Sequence, residues 1–255
     1  MAHSYLDNPF SIDLLSSFSQ SLKNAGKRAG YTASGNNYHL LNKVEQYQSE
    51  AFRIQSSLSK TADTLSHIRI FMGRYPFKKY YLQHGISQLE YIQYHSEALF
   101  NKIHAIREIM RLLINHIYQL RLPERNCSYS NLIHKIGRDC APLQIYDLHT
   151  RTFEKLIDLR HVHAHGGQWT DKERDEINTY DGLAFYKFEA QGFPMSDELK
   201  ALLPLRYVEF KITEYRKKRL ELLDQAIAEN GKLLQKFLST LHSEYERQVK
   251  LKRQP

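Results

Sequence analysis

Between residues 44 and 72, apolar side chains recur at alternating steps of three and four. Val44, Tyr47, Ala51, Ile54, Leu58, Leu65, Ile68 and Met72 hold the pattern, and the polar Thr61 fills its single gap. This spacing lines up as one stripe on an α-helix. A stripe this long must be covered, either by helices of the same chain or by a second copy. Gly73 and Pro76 mark its end.

The same spacing returns further along. Leu82, Ile86, Leu89, Leu99, Ile103, Ile106, Met110, Leu113, Ile117 and Leu120 predict a second long helix over about 80–121, closed by Pro123. A third is predicted over about 144–165, stopped by Gly166 and Gly167, and a fourth over about 206–250. Shorter helices are expected near 11–23 and 130–136. Residues 168–204 are polar and irregular, with Leu183, Phe185, Tyr186 and Phe188 suited to a small strand or hairpin. The expected class is all-α, a helical bundle over 80–250 preceded by an N-terminal helical extension, residues 1–75.

The composition supports long regular elements: 11 Gly and 7 Pro are few for 255 residues, and 42% apolar content suffices for a core. A formal charge of +8 suits a polyanionic partner but does not single one out. Cys127 and Cys140 show neither zinc spacing nor a disulfide framework. With no signal-peptide core at the N-terminus and no membrane-length apolar run, the expectation is a soluble cytoplasmic protein.

Chemistry is concentrated in Asp158-Leu159-Arg160-His161-Val162-His163-Ala164-His165-Gly166-Gly167, with one arginine and three histidines in six residues. Arginine is a permanent forked cation, and histidine exchanges protons near neutral pH. Together they can cleave a phosphodiester without a metal. On a helical wheel Ile145, Leu148, Phe153, Leu156 and Leu159 define an apolar side that includes Arg160 and His163, whereas His161 and His165 point away. An arginine on such a stripe needs a carboxylate or a wet cavity. Two structural alternatives stand beside catalysis: Arg160 could pair across the bundle, and histidines at a helix C-terminus favour its dipole. As metal ligands, His161, His163 and His165 would share one face only on a strand, and no further ligand motif accompanies them. No metal and no cofactor are expected. The run Tyr215-Arg216-Lys217-Lys218-Arg219 suits a solvated helix face, or else a basic strip touching phosphates.

Leu159 to Gly166 resembles the signature of the HEPN superfamily: an arginine, a polar residue, and a histidine four to six positions past the arginine. Arg160, His161 and His165 match these places, and helix order over about 80–250 is similar. Gly167 stands where a toxin subgroup carries tyrosine, a departure from that subgroup. The resemblance implies a metal-independent endoribonuclease acting on RNA as a homodimer, with the active cleft at the interface. A toxin or antiviral defence role and a regulatory protein partner follow by the same analogy. Some members are inactive, so a dimerisation module or a nucleotide- or RNA-binding module remains open. In the catalytic version His165 is the acid or base, Arg160 binds the phosphate oxygens, and His161 orients one of them. On a straight helix residues 160 and 165 lie about 140° and about 7.5 Å apart. Completing the site therefore requires a chain turn before His165 or a second subunit.

Overall fold

The computed structural model describes residues 7–164, 171–183, 197–198 and 205–254. For 160–164, 181–183 and 205 it describes the helical backbone alone. The fold is all-α, with no strand among the described residues. In chain order the helices are α1 (Pro9–Ala25), α2 (Lys43–Met72), α3 (Lys78–Gln83), α4 (Gln88–Ile117), α5 (Tyr129–Ile136), α6 (Ala141–Thr152), α7 (Glu154–Ala164), α8 (Lys172–Leu183) and α9 (Leu205–Arg253).

Internal contacts divide the chain into two compact units. Unit 1 comprises residues 1–63, 104–154 and 229–255; unit 2 comprises 64–103 and 155–228. In unit 1, α1 begins where the Asn8 side chain accepts from the Phe10 amide at 3.0 Å, with Pro9 in the first turn. Phe10 and Leu14 are fully buried, each worth about 1.5–3 kcal/mol. Asn8 also donates to Ser239 Oγ at 2.9 Å, and Phe10 meets the Tyr245 ring edge-on at 5.5 Å. These contacts seat α1 on the end of α9.

The stripe on α2 is covered by its own chain. Tyr47, Ala51, Ile54, Leu58, Leu65, Ile68 and Met72 are buried, while Ala62 takes the buried place beside Thr61. In unit 1 the Tyr47 hydroxyl donates to the Ile117 carbonyl at 3.1 Å, and Gln55 donates to Ser11 Oγ at 3.1 Å. In unit 2 Arg69 pairs with Asp224 at 3.0 Å.

Three expectations are corrected. The helix predicted over 80–121 is two helices. Gly85 adopts φ 72°, and the amides of Ile86 and Gly85 turn back to the carbonyls of Tyr81 and Leu82 at 2.9 and 3.1 Å. This is the reverse turn that ends a helix on a left-handed residue. Ser87 and Glu90 then cap each other's amides at 3.1 and 2.7 Å to start α4. The helix predicted over 144–165 also breaks, at Phe153 (φ −107°, ψ 13°). Thr150 and Thr152 hydrogen-bond back to the carbonyls of Tyr146 and Leu148 at 3.0 and 2.8 Å, contacts that bend helices. Finally, the stretch expected to be irregular contains α8, and Leu183 ends that helix rather than joining a strand. Phe185, Tyr186 and Phe188 lie outside the described residues.

Candidate active site

The break at Phe153 resets the helical phase on which the apolar side had been drawn. Leu148 is 46% exposed, while Leu143, Tyr146 and His149 form the buried side of α6. On α7 the buried side chains are Leu156 and Ile157. Position 160 follows them by four and three residues, so on the wheel it falls between them. The residues that define the apolar side thus differ in part from those expected: Leu156 is kept, Ile157 joins it, and Leu148 and Leu159 fall outside. Position 161 lies at the margin of that arc. Arg160, His161 and His163 are on the α7 backbone, in its last two turns. His165 lies outside the described residues, and so do Gly166 and Gly167.

Asp171 is an anchor. It is 8% exposed, and its carboxylate accepts from the Tyr215 hydroxyl at 2.7 Å and pairs with Arg219. Its other oxygen accepts from the Arg174 amide at 3.3 Å and caps α8. The Arg219 guanidinium stacks over the Tyr215 ring at 4.8 Å. Burial and the adjacent Asp171 carboxylate raise the Tyr215 pKa, keeping its proton in place as the donor. From this point α8 runs antiparallel along α9. Glu173 pairs with Lys218 at 2.5 Å, Ile177 is buried, and Tyr180 meets Tyr207 at 6.3 Å.

Residues 215–219 therefore form the solvated face expected of them only in part: Lys217 and Lys218 are exposed, and the other three are not. Tyr215 is fully buried, Arg219 and Lys218 hold the start of α8, and Arg216 is half-buried near Tyr91. The sequence hid this because Asp171 sits in a polar stretch with no periodicity.

Unit 1 contains a second polar cluster that periodicity did not reveal. His149 is fully buried, with Nε2 donating to Asn230 Oδ1 at 3.1 Å. Its Nδ1 and the Asn230 amide nitrogen have no partner among the described residues. Along α4 the Glu108 carboxylate is shared by Arg107, at 3.2 Å, and Arg111. Among the described residues, Asp13, His242 and Glu246 place potential metal-ligand atoms within 4.8 Å of one another. His242 already pairs with Asp13 at 2.6 Å, which accounts for that grouping without an ion.

A family model described as Cthe2314-like HEPN matches residues 37–243. The chain belongs to the HEPN superfamily. The match takes in α2 through most of α9, and so begins well before residue 80, where the resemblance in helix order starts. No curated protein and no solved structure matches the chain. Membership places this HEPN protein in a superfamily associated with nuclease and RNA-related functions. No described helix is long and apolar enough to cross a membrane.

Proposed function

We propose that this HEPN protein is a metal-independent endoribonuclease whose site is built from Arg160, His161 and His165. The observation that carries the proposal is the arginine-to-histidine spacing that begins in the last turns of α7, in a chain of this family. RNA supplies its own nucleophile. A base removes the 2′-hydroxyl proton, the oxygen attacks the adjacent phosphorus, and the leaving 5′-oxygen takes up a proton. His165 serves as base or acid. Arg160 binds the non-bridging oxygens and offsets charge that grows in the transition state. His161 orients the phosphate or His165. The products carry a 2′,3′-cyclic phosphate or its hydrolysis product at one end and a 5′-hydroxyl at the other.

His165 is the first residue past α7 and lies six before Asp171. The Asp171 contacts to Tyr215 and Arg219 thus fix the chain at a point six residues past His165 in sequence. A two-fold dimer brings two copies of the motif to one cleft and supplies the groups that one helix cannot align. The rival assembly module loses its main support, because the α2 stripe is buried within its own chain.

The test is end-group analysis of RNA incubated with the purified protein in excess chelator. Cyclic-phosphate and 5′-hydroxyl ends are expected. Cleavage that stops with chelator and returns with a defined metal would overturn the proposal and favour the histidine string as a ligand set.

A further inference from the structure

The motif leaves unexplained a run of exposed rings in unit 2. From the end of α2 into α3 the chain reads Phe71-Met72-Gly73-Arg74-Tyr75-Pro76-Phe77-Lys78-Lys79-Tyr80-Tyr81. Ring contacts join this segment to the start of α4 as one continuous cluster. Phe71 and Tyr94 lie 5.7 and 5.4 Å from His95, which lies 4.5 Å from Tyr91. Tyr91 lies 5.3 Å from Tyr75 and 5.5 Å from Tyr81. Tyr81 in turn contacts Phe77 at 6.1 Å and Tyr80 at 6.0 Å.

The inner rings are fixed. The Tyr75 hydroxyl donates to the Ile86 carbonyl at 2.5 Å, and that of Tyr91 donates to the Phe71 carbonyl at 3.2 Å. The outer rings are not enclosed: Phe71 is 54% exposed, Phe77 63%, Tyr80 59% and Tyr94 69%. Rings serving only as core would be covered, whereas these four are more than half exposed; Phe71 stacks on His95, Tyr80 lies 4.3 Å from the His84 ring, and the rest of their surface is open.

Charge narrows the occupant. Arg74, Lys78 and Lys79 stand between the exposed rings; Glu90 is the one carboxylate between residues 71 and 95, and Glu209 pairs with Lys78 at 3.9 Å, which leaves Arg74 and Lys79 as the cations of the proposal. Glu90 is engaged at the α4 cap with Ser87. Cations interleaved with exposed aromatic faces fit a strand of phosphates carrying unstacked bases. In duplex RNA the base faces are stacked on one another, so nothing is left for the rings to cover.

We propose that this surface is a stacking platform for single-stranded RNA, with Phe77 and Tyr80 taking base faces and Arg74 and Lys79 the phosphates. The proposal rests on RNA being the substrate and specifies its form.

The test uses the full chain carrying His165→Ala, to suppress cleavage, and a labelled 12-nucleotide RNA offered single-stranded or as a duplex. Single-stranded RNA is expected to bind more tightly. Adding Phe77→Ala and Tyr80→Ala is expected to weaken that binding about tenfold or more, with helical content unchanged because both rings are already exposed. Phe77→Tyr with Tyr80→Phe should retain binding. Equal affinity for the two RNA forms, no RNA binding, or affinity unchanged by removing the rings would each overturn the platform. A change in oligomeric state in the alanine variant would also overturn it and assign the surface to a second copy of the chain. The platform and the nuclease fail separately. Ring-dependent binding by a protein that never cleaves sinks the nuclease alone, and cleavage with ring-independent binding sinks the platform alone.

Discussion

His149 is kept neutral by its surroundings. Burial lowers its pKa to about 4, the Asn230 hydrogen bond opposes the shift, and Arg107 adds to it. In the unfolded chain a histidine titrates near 6.5. The unfolded state therefore binds more protons between these values. The stability from His149 is complete above about pH 6.5 and is lost as pH falls toward 4, by up to about 3 kcal/mol. Burial lowers the pKa values of His95 and His116 as well, so they contribute with the same sign. His149→Leu should be less stable than the parent at pH 7.5, yet lose less between pH 7.5 and pH 5 in urea denaturation. An equal loss in both would contradict this assignment. At Asp171, the alanine variant leaves the Tyr215 hydroxyl and the Arg219 guanidinium without their acceptor. Breaking such a pair costs roughly 3 kcal/mol. Amide exchange should quicken in α8, with α1 unaffected, whereas Asp171→Asn should keep more of the protection because it still caps the helix and accepts from Tyr215. None of this polar framework could be located in the sequence. His149 and Asn230 are 81 residues apart, and Asp171 and Tyr215 are 44 apart, so no local pattern joins them.

Helices were legible wherever one apolar stripe persists. The α2 spacing placed seven buried residues correctly because a helix under tertiary cover keeps its phase. Breaks were harder, for two different reasons. Gly85 followed by Ser87 and Glu90 carries a stop and a start, but apolar residues on both sides, Leu82 and Leu89, preserve a three-four spacing across them. The turn at Phe153 has neither glycine nor proline to announce it. Its threonine back-bonds become evident only from the backbone they bend. Gly85 offers a quantitative check. A Cβ there meets nothing within 4 Å, so Gly85→Ala pays only for the positive φ, about 1 kcal/mol. Gly26, at φ −61° with ordinary Cβ contacts of 3.5 Å, is the control. Gly26→Ala should be neutral or slightly stabilising. Thermal unfolding of the two variants measures the difference, and equal melting temperatures would contradict the account of the α3–α4 turn.

At the scale of the whole molecule, the all-α class and HEPN membership were both within reach of the sequence. The first follows from periodicity, and the second from the six residues 160–165 taken with helix order. The extent of the family match was not, because the heptads of α2 leave open whether its stripe is covered by the same chain or by a second copy. The packing of α2 in unit 1 against α1 and α4 shows why those heptads need no second copy. The central claim is that Arg160 and His165 cleave RNA, and it is tested most directly by measuring single-turnover cleavage in excess chelator. The parent protein should cut, and His165→Ala should lower the rate by about a hundred- to ten-thousand-fold. Arg160→Lys, which keeps the charge but loses the fork, should fall between the parent and Arg160→Ala. Retained helical content in each variant separates lost chemistry from lost fold. A His165→Ala protein that cleaves as fast as the parent would contradict the assignment.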